Sequence, residues 1–409
     1  MIVVFAHARV FDGLSEQIAE DHHVVVESGR IREVSSSPPR LREAVVIDCA
    51  GRYLMPGLID AHFHSYSPSF DISAGDRMPA SLMASHAAKI LEGTLARGFT
   101  TVRDAGGAEI GLFLAIEQGL IRGPRLFFAG KALSQTGGHG DIRRAEEAQP
   151  CGCHGYSGVL TSVVDGVDEV RRAVREELRK GAHQIKMFVS GGVLSPTDPL
   201  WMPQFTAEEI RAAVEEAGTR RTYVMAHCHT DEGAARCVEL GVRSVEHGTL
   251  IHRDDTARRI AGCGGFVVPT LSVIELLQRN AAAAGISSES RQKVTSIGDE
   301  AYRAIEVCRR AGVKLGLGTD LLGHAFHPLQ GGEFELRGRV EKPIDVLRSA
   351  TSVNAELLQR SGELGQITPG AHADILVLDS DPFRDLALFR EPAKIPVVMK
   401  GGAFIRNAL

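Results

Sequence analysis

The 409-residue chain is 44% hydrophobic and 24% charged, with a formal net charge of -5. That composition excludes a disordered or collagen-like chain, and a mildly acidic balance without a basic stripe argues against a nucleic-acid binder. No run of about 18 apolar residues is present to span a membrane, and the apolar start, Met1 to Val10, lacks the positive flank and small-residue cleavage site of a secretion signal.

Short β-like runs come first: Val3 to Ala8, Val24 to Glu27, Arg30 to Ser35 and Val45 to Asp48. Ser28-Gly29 supplies a hairpin turn and the Ser/Pro stretch from Ser35 to Pro39 a loop. The carboxyl end returns to this style with Asp374 to Leu378 and Ile395 to Met399, the second followed by Gly401-Gly402. Two β-rich ends around one body predict a small composite β-sandwich built from residues 1–55 and 365–409.

Residues 56–364 alternate between apolar runs and helical patterns. The runs are Tyr53 to Ala61, Phe99 to Arg103, Arg125 to Ala129, Gln184 to Val189, Tyr223 to His227, Arg243 to His247, Phe266 to Thr270 and Lys314 to Asp320. Val167, Val170, Val174 and Leu178 mark one helical face closed by Gly181. Thr206 with Glu209 is a capping box that opens another helix. Strands alternating with helices at this count predict an α/β protein, a (β/α)8 TIM barrel. An open doubly wound sheet competes, but no Gly-x-Gly-x-x-Gly turn follows a strand, so dinucleotide binding has no support.

In a barrel, chemistry sits at the carboxyl ends of the strands. Those ends carry His62 and His64, Lys186, His227, His247 and Asp320. Each alone is weak, because a lone strand histidine is more often a satisfied core residue; the joint pattern is the signal. Residues i and i+2 of a strand share a face, so His62 and His64 can share one cation. Imidazole and carboxylate are zinc's preferred non-thiolate donors. Four His and one Asp exceed the needs of a single catalytic zinc, which points to two metals about 3.5–4 Å apart. Lys186, in the apolar run Ile185 to Val189, is either a snorkelling or salt-bridged lysine or one converted by carbon dioxide to a carbamate that bridges both metals.

The stretches Gly57-Leu58-Ile59-Asp60-Ala61-His62-Phe63-His64, Val245-Glu246-His247-Gly248 and Leu317-Gly318-Thr319-Asp320, together with Lys186, resemble the metal-dependent amidohydrolase superfamily. Pro369 to Val377 resembles the β-domain segment common in it, so the likeness covers essentially the whole chain. It implies a binuclear zinc centre held by His62, His64, carboxylated Lys186, His227, His247 and Asp320. Iron, cobalt, nickel or manganese could occupy the same ligands. Val102 to Gly107, Ser134 to His139 and Ser190 to Val193 are similar to a narrower branch. It holds prolidase-like Xaa-Pro dipeptidases, carboxypeptidases for basic residues, and hydrolases of aryl amides, ureas and carbamates, ochratoxin-degrading enzymes among them. Homo-oligomers are common in the family.

The resemblance implies a metal-bridging hydroxide as nucleophile, Asp320 as the group that moves its proton to the leaving nitrogen, and His139 as a donor to the oxyanion. His229, where dipeptidase-like relatives often carry Tyr, is expected over the pocket as a substrate contact. His324 and His327 either line the mouth or lie on plain surface. Phe188, Trp201 and Phe205 could shape an apolar pocket, with core packing favoured for Phe188. Cys228 is expected to pack against the outer layer. Cys151, Cys153 and His154 read as a reduced loop rather than a structural zinc site. The seven scattered Cys favour free thiols and the cytoplasm.

The leading expectation is a binuclear zinc hydrolase of a linear amide: a dipeptide, Xaa-Pro or an N-acyl amino acid. A hydrolase of a non-peptide carbamate, urea or aryl amide on the same centre comes second. A mononuclear deaminase, which would not need Lys186, and a metal-free scaffold protein follow.

Overall fold

In the computed structural model the chain opens with β1 (Ile2–Val10), β2 (Ala19–Glu27), β3 (Arg30–Ser35), β4 (Ala44–Asp48) and β5 (Tyr53–Pro56). The structure describes residues 2–41, 43–143, 158–195, 197–280 and 286–409. The β2–β3 hairpin turns on Ser28 and Gly29, both left-handed at φ 50° and 80°, as a two-residue turn between right-twisted strands requires.

Ten strands follow: β6 (Leu58–Phe63), β7 (Phe99–Asp104), β8 (Arg125–Phe128), β9 (Ala132–Ser134), β10 (Thr161–Val163), β11 (Ile185–Phe188), β12 (Val224–Thr230), β13 (Ser244–Leu250), β14 (Phe266–Val268) and β15 (Lys314–Leu315). The chain closes with β16 (Ile375–Leu378), β17 (Val397–Lys400) and β18 (Ala403–Asn407). One sheet runs β18-β17-β16-β5-β1-β2-β3, with β4 beside β1, so both chain ends share it. Val3, Phe5, Val24, Ile375 and Val377 form part of its apolar core, each worth about 1.5–3 kcal/mol of burial.

The run Tyr53 to Ala61, expected as one strand, is two. Up to Pro56 it pairs with β1 and β16; from Leu58 it pairs with β7. The switch falls at Gly57, where a Cβ would lie 2.2 Å from Thr100 Oγ1, so only glycine lets the backbone pass from one sheet to the other. Two short strands, β9 and β10, were not anticipated.

The parallel strands form two sheets, β6-β7-β8 and β10-β9-β11-β12-β13-β14-β15, rather than an unbroken ring of eight regular strands. The expected eighth strand is regular only over Lys314–Leu315, because its end turns left-handed at Asp320 (φ 51°). That end still bonds to β6, with Ala61 N donating to Leu317 O and Asp320 N to His62 O, each at 2.8 Å. At the other seam His183 N donates to Phe128 O at 2.8 Å, and the Gln184 amide donates to Asp104 O at 3.0 Å.

Helices cross between the strands as patterned. Val167–Arg179 buries Val170, Val174 and Leu178 and is followed by Gly181 at φ 94°. Thr206 caps Ala207–Thr219 with both capping-box bonds to Glu209 present. Among the described residues no helix is long and apolar enough to cross a membrane.

Candidate metal centre and active site

His62 stands at the end of β6, fully buried. Its Nδ1 lies 2.8 Å from Glu246 Oε2. Glu246 in turn accepts from Arg103 Nη2 at 2.8 and 2.9 Å and from Ser244 Oγ at 2.6 Å. Burial opposes ionisation of Glu246, but Arg103 and the His62 bond overcome it and hold the carboxyl at about 2. An imidazole anchored this way through Nδ1 presents Nε2 as a ligand, the usual carboxylate–histidine support of a metal site. His62 Nε2 lies 3.6 Å from Asp320 Oδ1 and 3.4 Å from Lys186 Nζ.

His64 Nδ1 donates to Gly106 O at 3.1 Å, and its Nε2 lies 3.2 Å from the same Asp320 oxygen. His247 is fixed through Nδ1 to Thr270 Oγ1 at 2.8 Å. His227 packs edge-on against His247, ring centroids 4.6 Å apart, and its Nε2 lies 3.2 Å from Gly191 O. Ligand atoms of His62, His247 and Asp320 all lie within 4.8 Å of one another. His247 and Asp320 both take positive φ, 71° and 51°. Such non-glycine conformations cost about 1–3 kcal/mol each and persist where a site demands them.

Electrostatics agree with a cation site. Burial and the Lys186 charge push His62 down to about 4, and burial drives His227 and His247 well below the usual histidine value. Burial opposes the Asp320 carboxylate, yet His62 and His64 hold it at about 2. Neutral imidazoles and an ionised carboxylate are the protonation states a metal requires; His64 departs from this, because the bond and charge of Asp320 outweigh burial and raise its pKa. Lys186 is 1% exposed; among the described residues its hydrogen-bond contact is His62 Nε2 at 3.4 Å, while Glu246 and Asp320 act on its charge from farther off. Burial lowers its ammonium to about 8. A buried ammonium with no carboxylate within ion-pair distance is costly. The residues therefore fit a metal site.

These six side chains line one cavity, with His139 and His229. His139 stacks on His227 at 4.3 Å, 25° between planes. His229, 3% exposed, is held through Nδ1 to Thr249 Oγ1 at 2.7 Å and stacks on His247 at 5.2 Å. Burial pushes both down to about 3, so each is neutral. The remaining lining is largely apolar and includes Leu160, Val273, Ile274, Leu277, Val294 and Ile297.

Other expectations are corrected. His324 is not among the cavity-lining residues; its ring meets His86 edge-on at 6.0 Å. His327 is buried against Phe63 at 4.9 Å rather than at the mouth. Phe188 lines the cavity, edge-on to His139 at 5.1 Å, whereas Trp201 is 73% exposed and Phe205 belongs to the core. Cys228 is buried in that core as expected. Cys151, Cys153 and His154 lie outside the described residues.

Sequence reasoning missed the supporting groups. Arg103 and Glu246 are charged residues inside apolar strand runs, the same anomaly that singled out Lys186, and could have been paired on that ground. Asp60, in the quoted motif, accepts from Thr319 Oγ1 at 2.6 Å and Gln330 Nε2 at 2.8 Å; it ties β6 to the Asp320 segment, and burial raises its carboxyl to about 6.

A model of the amidohydrolase family matches residues 53–405. Ochratoxinase from Aspergillus niger is 34% identical over 373 residues, covering 87% of this chain and 76% of that protein. Among solved structures, a prolidase complexed with N-methylphosphonate-L-proline is 44% identical at TM-score 0.95, covering 100% of both chains. A Xaa-Pro dipeptidase with bound methionine is 29% identical at TM-score 0.87, again covering 100% of both.

Proposed function

Because this chain belongs to the amidohydrolase family and is a hydrolase of C–N bonds, we propose that it cleaves a linear amide at a binuclear metal centre. The substrate class is a dipeptide, Xaa-Pro above all, or an N-acyl amino acid. The carrying observation is that His62, His227 and His247, all buried, line one cavity with half-buried His64, Asp320 and Lys186, a buried lysine with no carboxylate within ion-pair distance among the described residues.

In this reading His62, His64, His227, His247 and Asp320 hold two divalent cations, zinc by donor type, with Lys186 carried as its carbamate. When bound, such a pair polarises a carbonyl and lowers the pKa of water toward about 7. Asp320, ionised at about 2, takes the proton of the attacking water and passes it to the leaving nitrogen. His139, neutral because burial holds it at about 3, donates a hydrogen bond to the oxyanion that develops on the scissile carbonyl. His229 contacts the substrate beyond the reacting bond. The apolar wall of Leu160, Val273, Ile274, Leu277 and Ile297 receives an apolar side chain or proline ring.

The names of the similar proteins, prolidase, Xaa-Pro dipeptidase and ochratoxinase, support amide cleavage. The breadth of the apolar lining favours one second reading, a non-peptide aryl amide or carbamate. Metal content per chain, measured beside hydrolysis of Xaa-Pro dipeptides, N-acyl amino acids, aryl amides and carbamates, decides. About two metals with Xaa-Pro turnover support the first reading. Silence on peptides with aryl amide or carbamate cleavage replaces the substrate and keeps the centre. One metal per chain overturns the bridging carbamate.

A further inference from the structure

Lys293 stands outside the metal centre, on the helix Ser288–Arg310 whose Val294 and Ile297 form part of the cavity wall. Its side chain is 10% exposed. The ammonium donates to three main-chain carbonyls: Gly192 at 3.1 Å, Ser195 at 3.0 Å and Asp198 at 2.7 Å. An ammonium has three hydrogens, so these bonds use its full donor capacity. Glu289, on the outer side, is 3.7 Å away.

The three carbonyls belong to the loop against which His139 rests. Ser195 Oγ lies 2.6 Å from His139 Nδ1, and Asp198 Oδ2 lies 3.7 Å from it. The same Asp198 oxygen accepts from Gly192 N at 3.0 Å and Gln204 Nε2 at 3.1 Å. Gln204 Oε1 accepts from the His139 main-chain N at 3.0 Å. A Cβ on Gly192 would fall 2.2 Å from His139 Cε1, so the imidazole lies directly on that glycine. The ring also stacks on His227. The ring thus packs on both Gly192 and His227, and its Nδ1 is engaged by Ser195, which leaves Nε2 as the nitrogen for the cavity.

Among its described residues this loop has no helix or strand. Its base is closed by the Ser190–Pro203 bridge and by Gly191 N donating to Met202 O at 2.9 Å. Three carbonyl dipoles aimed at one point repel one another unless a cation sits there. Removing the ammonium therefore frees Ser195, Asp198 and Gly192 together, and with them the seat of His139.

We propose that Lys293 is a positioning residue for the reaction: by gathering the carbonyls of Gly192, Ser195 and Asp198 it sets the orientation in which His139 meets the scissile carbonyl. This rests on the reading of His139 as donor to that carbonyl's oxygen. It also joins two parts of the site on one helix, since the turn that supplies Lys293 supplies Val294 to the apolar wall.

The test is a double-mutant cycle of Lys293→Met and His139→Asn, assayed with the fastest-cleaved amide of the panel, with metal content and melting curves recorded for each variant. Lys293→Met is expected to lower kcat about 10- to 30-fold with KM within about twofold and metal content unchanged. On the His139→Asn background the same change should cost less than about twofold. Losses that multiply overturn the proposal, because Lys293 then acts independently of His139. Unchanged kcat in Lys293→Met, with activity lost in His139→Asn, overturns it and leaves the reading of His139 standing. Unchanged kcat in His139→Asn removes that reading and the proposal with it. Should Lys293→Met lose its cooperative melt, Ser195→Ala takes its place in the cycle and the same criterion applies: a non-additive loss supports the clamp and a multiplicative one overturns it.

Discussion

The two sides of the cavity are built differently. On the metal side His62, Arg103 and Glu246 stand on the strands β6, β7 and β13, at most 1% exposed, and the bonds joining Ser244, Arg103, Glu246 and His62 are between 2.6 and 3.0 Å. On the opposite side His139 hangs from one loop and rests on another, with Lys293 as a brace from a helix. Strand-borne groups locked by a buried charge network cannot drift, which suits ligands that must meet a cation within a few tenths of an ångström. Loop-borne groups can be exchanged without disturbing the sheet, which suits the part of a site that recognises a substrate.

The sharpest way to break the metal side is at Asp320. Asp320→Asn keeps the shape but removes the ligand charge and the proton carrier of the proposed mechanism, and should lower kcat/KM about 10⁴-fold, read by steady-state kinetics. On the loop side, His139→Asn should lower kcat about 10²- to 10³-fold with metal content unchanged; a parallel loss of metal would assign His139 to the other side.

Glu246→Gln tests the support beneath His62. It leaves Arg103 buried without its counter-charge, a loss of about 3–5 kcal/mol, with metal affinity weakened about 10- to 100-fold. Both are measurable by denaturant melts and metal titration. The sign with pH follows from the depressed carboxyl: folded Glu246 titrates at about 2, below the ordinary value of 4.5. The stability it supplies is fully present above pH 4.5 and is lost as pH falls toward 2. The gap between wild type and Glu246→Gln should therefore be widest above pH 4.5 and close below it. Trp201→Ser marks the lower limit: with its indole 73% exposed and outside the cavity lining, kcat/KM should change less than about twofold.

Strand existence was largely legible, because β7, β11, β12 and β13 are apolar runs bounded by turns and helices, a local signal. The fate of Tyr53 to Ala61 was not. Pro56-Gly57 is a local break signal, but the change of sheet there depends on Thr100 packing on Gly57 from a strand more than 40 residues away. Gly316 to Asp320 likewise read as strand, and only bonds to β6 and a left-handed Asp320 make it an irregular end.

The amino-acid sequence by itself determined which side chains could do chemistry here: histidines, a carboxylate and an anomalous lysine at the ends of apolar runs are a pattern of residue types, and residue types are what a sequence carries. It equally determined that both chain ends would be β-rich. Tertiary structure alone decided which charges would support the site. Packing brings Glu246 to His62 across 184 positions of chain and Ser244 to Arg103 across 141. It also decided that His229 would enter the cavity while His324 and His327 would not, and that Lys293 would reach the loop that seats His139. Each depends on a distance between segments remote in sequence, and such distances exist only once the apolar strands and helices have found their partners.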